Sequence, residues 1–259
     1  MVGYNLASAS YDTQSFDVSG EDSVPTGMAF NGDGSKMFVM GYNGDNVYSY
    51  NLSTAYDISG ASYNQSFDIS GEDVQPAGVT FNEGGTKMFW VGYENNNVYS
   101  YNLSTAYDLG SASYNQSFSI SEATYPRGVT FNGDGTKMVV VGYNNAYMYS
   151  YNLSTAYDIS SASYNQKFDV SGQSSDPWDV QFNGDGTKMF VVGRSTNYVY
   201  SYNLSTAYDL GSASYNQSFD VSGEDDDPLD VTFNGDGSKM FMVGNTTDKL
   251  YQYSTTEEQ

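Results

Sequence analysis

Phe30-Asn31-Gly32-Asp33-Gly34-Ser35-Lys36-Met37-Phe38-Val39 reads as the end of one apolar strand, a tight glycine-rich turn and the start of a second strand. Asn and Gly tolerate the positive φ that a hairpin turn needs, and Asp accepts hydrogen bonds from nearby backbone. The stretch recurs from Phe81, Phe131, Phe182 and Phe233, with successive starts 50 or 51 residues apart. One hairpin unit therefore occurs five times, and the rest of the chain is arranged around it.

The order within each unit repeats as well. In the first, an alternating strand covers 28–30, a continuously apolar one 37–40, a third 47–50 and a fourth 63–69. Alternation marks a strand with one face covered; an unbroken apolar run marks one covered on both. The connection 51–58 leaves room for a short helical turn within 53–57. The fifth unit stops after its third strand. Near the start, Tyr11-Asp12-Thr13-Gln14-Ser15-Phe16-Asp17-Val18 matches Tyr63-Asn64-Gln65-Ser66-Phe67-Asp68-Ile69 with one residue extra. The leading segment thus supplies the strand that the last unit lacks. The expected fold is all-β: one body of five four-stranded antiparallel sheets around an axis, in units 20–70, 71–120, 121–170, 171–221 and 222–254 plus 11–18. A unit this small cannot bury its own apolar face, and closing the ring leaves the array no open ends.

Composition narrows the chemistry. The chain has 9 basic and 31 acidic residues, a net charge of −22, a field that repels nucleic acid and acidic membranes. It has no Cys and no His. That removes disulfides, thiolate chemistry, the commonest general base and the commonest transition-metal ligand. No apolar run approaches 18 residues, so membrane insertion is not expected. Met1-Val2-Gly3-Tyr4 does not read as the start of a signal peptide. Neither a Gly-x-Ser-x-Gly elbow nor a phosphate-binding loop leading into a helix is present.

The unit F-N-x-D-G-T-K-M-F-V-V-G…V-Y-x-Y-x-L-S-T-x-x-D-I resembles β-propeller repeats of bacterial, environmental and bacteriophage proteins. Residues 131–142 and 151–159 carry the pattern almost unbroken, and the resemblance extends over about 11–254. The second copy departs from it at the turn, Asn82-Glu83-Gly84-Gly85. The paired glycines of kelch repeats and the Trp-Asp ending of WD repeats are missing. The resemblance implies a five-bladed β-propeller. It further implies a non-enzymatic setting, as part of a virion or at an extracellular or cell surface.

Comparing the five copies separates two faces of the disc. One carries the Asn-Gly-Asp-Gly turns and the Asn-Leu-Ser-Thr-Ala-Tyr-Asp connections, nearly the same in each. The other carries the loops between second and third strands and the connections between blades, which differ. Tyr42, Tyr93, Tyr125, Arg127, Tyr143, Trp178 and Arg194 lie there. Aromatic platforms beside amides and charges suit a lectin-like pocket for a glycan, or the anchors of a protein partner. Drift of exposed loops produces the same divergence. A structural scaffold, as a homo-oligomer or in a larger virion assembly, is the alternative.

Asp179 and Asp230 stand where the other copies have Gly27, Gly78 and Gly128, close to the axis. With Asp176 or Glu224 they form a trial set for a weak glycoside hydrolase, which needs an acid and a base about 5–9 Å apart. Asp176 and Asp227 are the candidates for Ca²⁺, an ion that prefers oxygen ligands; no other cofactor is expected. The turn aspartates Asp33, Asp134, Asp185 and Asp236 read as turn stabilisers. Lys36, Lys87, Lys137, Lys188 and Lys239 read as partners of nearby acids such as Asp57 or its equivalents, or as covers of strand edges.

Overall fold

The computed structural model describes residues 3–256; Met1, Val2 and the acidic tail 257–259 lie outside the described residues. An N-terminal strand, β1 (Ser10–Asp17), precedes four complete blades. These are β2 to β5 (Pro25–Phe30, Lys36–Gly41, Asn46–Leu52, Ala61–Asp68) and β6 to β9 (Pro76–Phe81, Lys87–Gly92, Asn97–Leu103, Ala112–Ser119), then β10 to β13 (Pro126–Phe131, Lys137–Gly142, Tyr147–Leu153, Ala162–Asp169) and β14 to β17 (Pro177–Phe182, Lys188–Gly193, Tyr198–Leu204, Ala213–Asp220). The fifth blade has β18 (Pro228–Phe233), β19 (Lys239–Gly244) and β20 (Lys249–Ser254), and β1 completes it in the order β1-β20-β19-β18. The molecule is a five-bladed β-propeller closed by its own leading strand.

The closing pair is antiparallel, with Tyr11 opposite Tyr253 and Phe16 opposite Leu250. The extra residue seen in the sequence is absorbed in a bulge. Two residues, Asp12 and Thr13, sit between the paired Tyr11 and Gln14, whereas only Asn64 sits between Tyr63 and Gln65 in the first blade. Closure also starts earlier than the match at Tyr11. Tyr4 lies at positive φ and its N–H donates to the Gly237 carbonyl, as Tyr56 does to Gly34. Asn5 then caps the short 3-10 turn Leu6–Ser8 as Asp57 caps Ile58–Gly60. The helical turn expected within 53–57 thus lies just after it, because the Asp57 side chain accepts from Ser59 N–H and fixes the start there.

The quoted stretch folds as read. Asn31 accepts from Lys36 N–H at 2.8 Å and Asp33 accepts from Ser35 N–H at 2.9 Å. Gly34 has φ +71°, and a β-carbon there would run into the Tyr56 ring. The Tyr56 hydroxyl donates to the Gly32 carbonyl at 3.1 Å. Turn and connection therefore brace each other, which is why they repeat together. The lysine expectation is corrected. Lys36 and Lys239 donate to the Tyr107 and Tyr56 carbonyls, and Lys87, Lys137 and Lys188 to the side-chain oxygens of Asn102, Asn152 and Asn203. A short amine reach to a fixed carbonyl or amide satisfies each without an acid.

The second strand of each blade is fully covered, and the core lies between blades rather than within them. Val139, Val141 and Met148 of the third blade pack on Val180, Met189 and Val191 of the fourth. Phe241 and Val243 of the fifth pack on Met28, Met37 and Val39 of the first. Burying these faces is the main favourable term, and it is available only once neighbouring blades meet.

Candidate functional site

On the divergent face, one backbone hydrogen bond in each of four blades ties the loop after the second strand to the connection before the first. The residue after the second strand donates its N–H to the carbonyl of the residue before the proline: Tyr42 to Val24, Tyr93 to Gln75, Arg194 to Asp176 and Asn245 to Asp227, at 3.0–3.1 Å. These positions line a cavity of about 250 Å³ formed by Val24, Thr26, Tyr42, Gln75, Tyr93, Arg127, Trp178, Arg194, Leu229 and Asn245. Because each blade contributes a different residue, a five-fold frame produces an asymmetric pocket. The first two blades supply neutral groups, and both arginines come from the third and fourth.

Arg127 is the centre of the charged side. Its guanidinium lies 3.8 Å from the Tyr93 ring centre, 4.0 Å from Trp178 and 5.1 Å from Tyr143. Burial lowers its pKa to about 10. Arg194 lies 4.6 Å over Trp178 and is held by Asp227 through a two-pronged ion pair, its NH2 nitrogen 2.9 Å from Asp227 Oδ2. That is the only ion pair among the described residues, and it raises the Arg194 pKa. Asp176 is pushed above the ordinary aspartate range by burial, opposed by both arginines, and its Oδ1 is buried without a partner. Tyr125 stacks on Tyr93 at 4.4 Å, and Tyr143 meets Trp178 edge-on at 5.8 Å.

Of the residues singled out in the sequence, Tyr42, Tyr93, Arg127, Trp178 and Arg194 line the cavity, while Tyr125 and Tyr143 support it from behind. Gln75, Thr26 and Asn245 were missed. They occupy the same columns as Asp176, Arg127 and Arg194 in other copies, so reading by column rather than by residue type finds them.

The remaining acids of this face have structural work. Asp22 accepts from Val24 and Gly44 N–H, Asp73 from Gln75 and Asn95, and Asp225 from Asp227 and Thr247. Glu122 and Glu224 accept the Tyr151 and Tyr253 hydroxyls at 2.8 and 3.1 Å. Of the two Ca²⁺ candidates, Asp227 is engaged by Arg194 and Asn245.

Asp179 and Asp230 form the floor. Both are buried, Asp179 Oδ2 and Asp230 Oδ1 have no hydrogen-bond partner, and Asp230 accepts from Met28 N–H at 2.7 Å across the ring closure. Gly27 and Gly78 touch backbone to backbone beside them; a β-carbon on Gly27 would lie 2.8 Å from the Gly78 α-carbon. Desolvation lifts Asp179 to about 7 and Asp230 well above the ordinary range, and their mutual repulsion adds to the latter. Both carboxyls are buried and neither lines the cavity, which keeps a sugar from reaching the trial pair of Asp179 and Asp230. Across it, on the uniform face, lies a second cavity of about 440 Å³ walled by Phe30, Phe81, Phe131 and Phe233.

No family model and no curated protein matches the chain. Solved structures do. A periplasmic gluconolactonase from Pseudomonas aeruginosa is 14% identical, with 89% of this chain covering 66% of that one at a TM-score of 0.55. A 6-phosphogluconolactonase, so named as putative, from Bacteroides fragilis is 9% identical, with coverage of 89% and 80% and a TM-score of 0.59. A functionally unknown protein from Desulfotomaculum acetoxidans is 12% identical, with coverage of 85% and 62% and a TM-score of 0.52. The chain thus spans about two thirds of the length of several of these structures. At such identities the likeness is one of fold. It corrects the resemblance drawn from the repeat motif: the build is shared with gluconolactonases rather than tied to a phage or cell-surface repeat family. The expectation of a non-enzymatic, lectin-like or virion module is overturned with it. That expectation rested on the repeat resemblance, whereas structures of this build are named for a hydrolysis.

Proposed function

We propose that the pocket of the divergent face is the active site of a hydrolase that opens the ester bond of a sugar-derived lactone. The observation that carries this reading is the convergence of Arg127 and Arg194 over Trp178, at 4.0 and 4.6 Å, in a cavity of about 250 Å³. A sugar ring stacks its apolar face on Tyr42, since Arg127 and Tyr125 already cover the two faces of Tyr93, and Gln75, Thr26 and Asn245 meet its hydroxyls.

When water adds to the lactone carbonyl, a C–O bond forms and the carbonyl oxygen takes a full negative charge. A guanidinium already in place stabilises that charge without reorganising; loss of one such donor typically costs about 10²–10³ in rate. Arg194 meets this requirement, because Asp227 holds it. Asp176, buried beside the cavity with its Oδ1 unpartnered in the field of both arginines, is the candidate base for the proton of the attacking water. The ring C–O bond then breaks, and the ring oxygen leaves with that proton as a hydroxyl. An ester of this kind opens in water unaided, so a site without His, Cys or an activated Ser has only to add oxyanion stabilisation and a base. The gluconolactonases of the same fold support the substrate class.

The test is acid release from δ-gluconolactone, followed with a pH indicator in weak buffer after subtraction of the spontaneous rate. Catalysis is expected, with Arg194→Met and Asp176→Asn each slowing it at least tenfold. A rate no faster than the spontaneous one, for both the neutral and the phosphorylated lactone, sinks the reading.

A further inference from the structure

Of the two guanidinium groups over Trp178, only one has a counter-ion. Arg127 is 8% exposed, its Nε has no hydrogen-bond partner, and no carboxylate among the described residues lies within ion-pair distance of it. Three aromatic faces surround it, and cation–π attraction offsets part of the cost of burying the charge. The rings accept none of its N–H groups, however, and a buried donor left unmade costs more than a made bond returns. Acids are not scarce in a chain with 31 of them. At this buried cation the protein withholds the anion, and the guanidinium lines an open cavity.

We propose that the ligand of this pocket carries a fixed anionic group, a phosphate or a carboxylate, and that Arg127 binds it. The proposal deepens the hydrolase reading, on which the lactone part of the ligand rests; the anionic part stands on Arg127. The two arginines then divide the work. Arg194, neutralised by Asp227, faces a charge that exists only during the reaction. Arg127, without a partner, faces one that is permanent and gains both its missing acceptors and its counter-charge. Solved structures of the same fold are named for gluconolactone and for its 6-phospho form, and an uncompensated guanidinium places this pocket with a charged ligand.

The molecule carries its own reporter. Trp178 lies under both arginines, while the other tryptophan, Trp90, is fully buried and stacked on Tyr99 at 4.4 Å. Tryptophan emission is titrated with 6-phosphogluconate, gluconate, inorganic phosphate and glucose. One of the acids is expected to give a saturable change at a concentration at least tenfold below that of glucose. Arg127→Gln abolishes that preference, and Arg127→Lys retains part of it. Competition by phosphate identifies a phosphate group; response to gluconate without phosphate competition identifies a carboxylate. Glucose binding as tightly as every acid on the unmodified protein overturns the proposal, and so does an Arg127→Gln protein that melts normally and keeps the preference. The comparison of neutral with charged ligands holds even if the variant fails to fold. Acid binding without lactone turnover removes the hydrolase reading and leaves this one. Lactone turnover with no preference for any acid over glucose does the reverse.

Discussion

Raising the pH through neutrality should loosen this propeller, and the Asp179–Asp230 floor is the reason. Burial lifts Asp179 from an ordinary value of about 3.9 to about 7, and Asp230 is lifted well above the ordinary range. Both are raised, so the folded state holds protons that the unfolded state has released. The stability this provides is complete below the unfolded value near 4, and it is lost as pH rises through the folded value near 7. Each retained proton makes unfolding easier by about 1.4 kcal/mol per pH unit. Across the roughly three units separating the two Asp179 values, the loss is on the order of 4 kcal/mol. In a chain of this size 1 kcal/mol moves the melting temperature by about 2–4 °C, so the fall is on the order of 10 °C. The chain has neither His nor Cys, and Asp176, Asp45 and Asp248, also raised by burial, add to the slope in the same direction. The turn and capping aspartates Asp33, Asp68 and Asp134 are held below the ordinary range by hydrogen bonds and act only in acid, where their contribution disappears as pH falls. Melting by circular dichroism at pH 5, 6, 7, 8 and 9 measures the slope. Asp230→Asn keeps the shape and a hydrogen-bond donor while removing the second acid. It is expected to flatten the slope and to melt higher than the parent at pH 8. A flat profile in the parent, or an Asp230→Asn protein that keeps the full slope, refutes the argument.

The other expectations concern the frame. Gly85 has φ +65°, and a β-carbon there meets the Tyr107 ring, whereas the adjacent Gly84 has only the Asn82 amide nitrogen at 3.9 Å. Gly85→Ala should cost about 1–3 kcal/mol and Gly84→Ala little, read as midpoints of urea unfolding; equal effects would show that the turn is not braced as described. Deleting residues through Asp17 removes β1 and uncovers β20, including Tyr253 and Leu250. The shortened chain should lose its cooperative melt or associate through the bare edge, and a stable monomer by light scattering would contradict closure by the leading strand.

The repeat and its period were legible because each blade solves the same local problem with the same residues. Asn31, Asp33 and Gly34 are dictated by the hairpin itself, the apolar run 37–40 by burial on both faces, and the missing last strand by simple alignment of the copies. The pocket was only half legible. Divergence among the copies pointed to Arg127, Trp178 and Arg194, but not to the fact that Arg194 has a partner and Arg127 has none. Nor could it show that most of the nearby acids are loop clamps, since Asp22, Asp73 and Asp225 look no different in sequence from Asp227. Chain position places Asp179 and Asp230 near the axis but does not reveal their burial, which depends on how closely Gly27 and Gly78 let the blades approach.

Local chemistry written into each unit of about fifty residues was thus enough to dictate five blades and their closure, because strand pairing and turn geometry involve neighbours along the chain or one repeat away. Which charges are neutralised, and where an unneutralised one is left, is settled by residues from different blades meeting at the axis. That meeting depends on the ring radius and the packing between sheets, and no single unit encodes it.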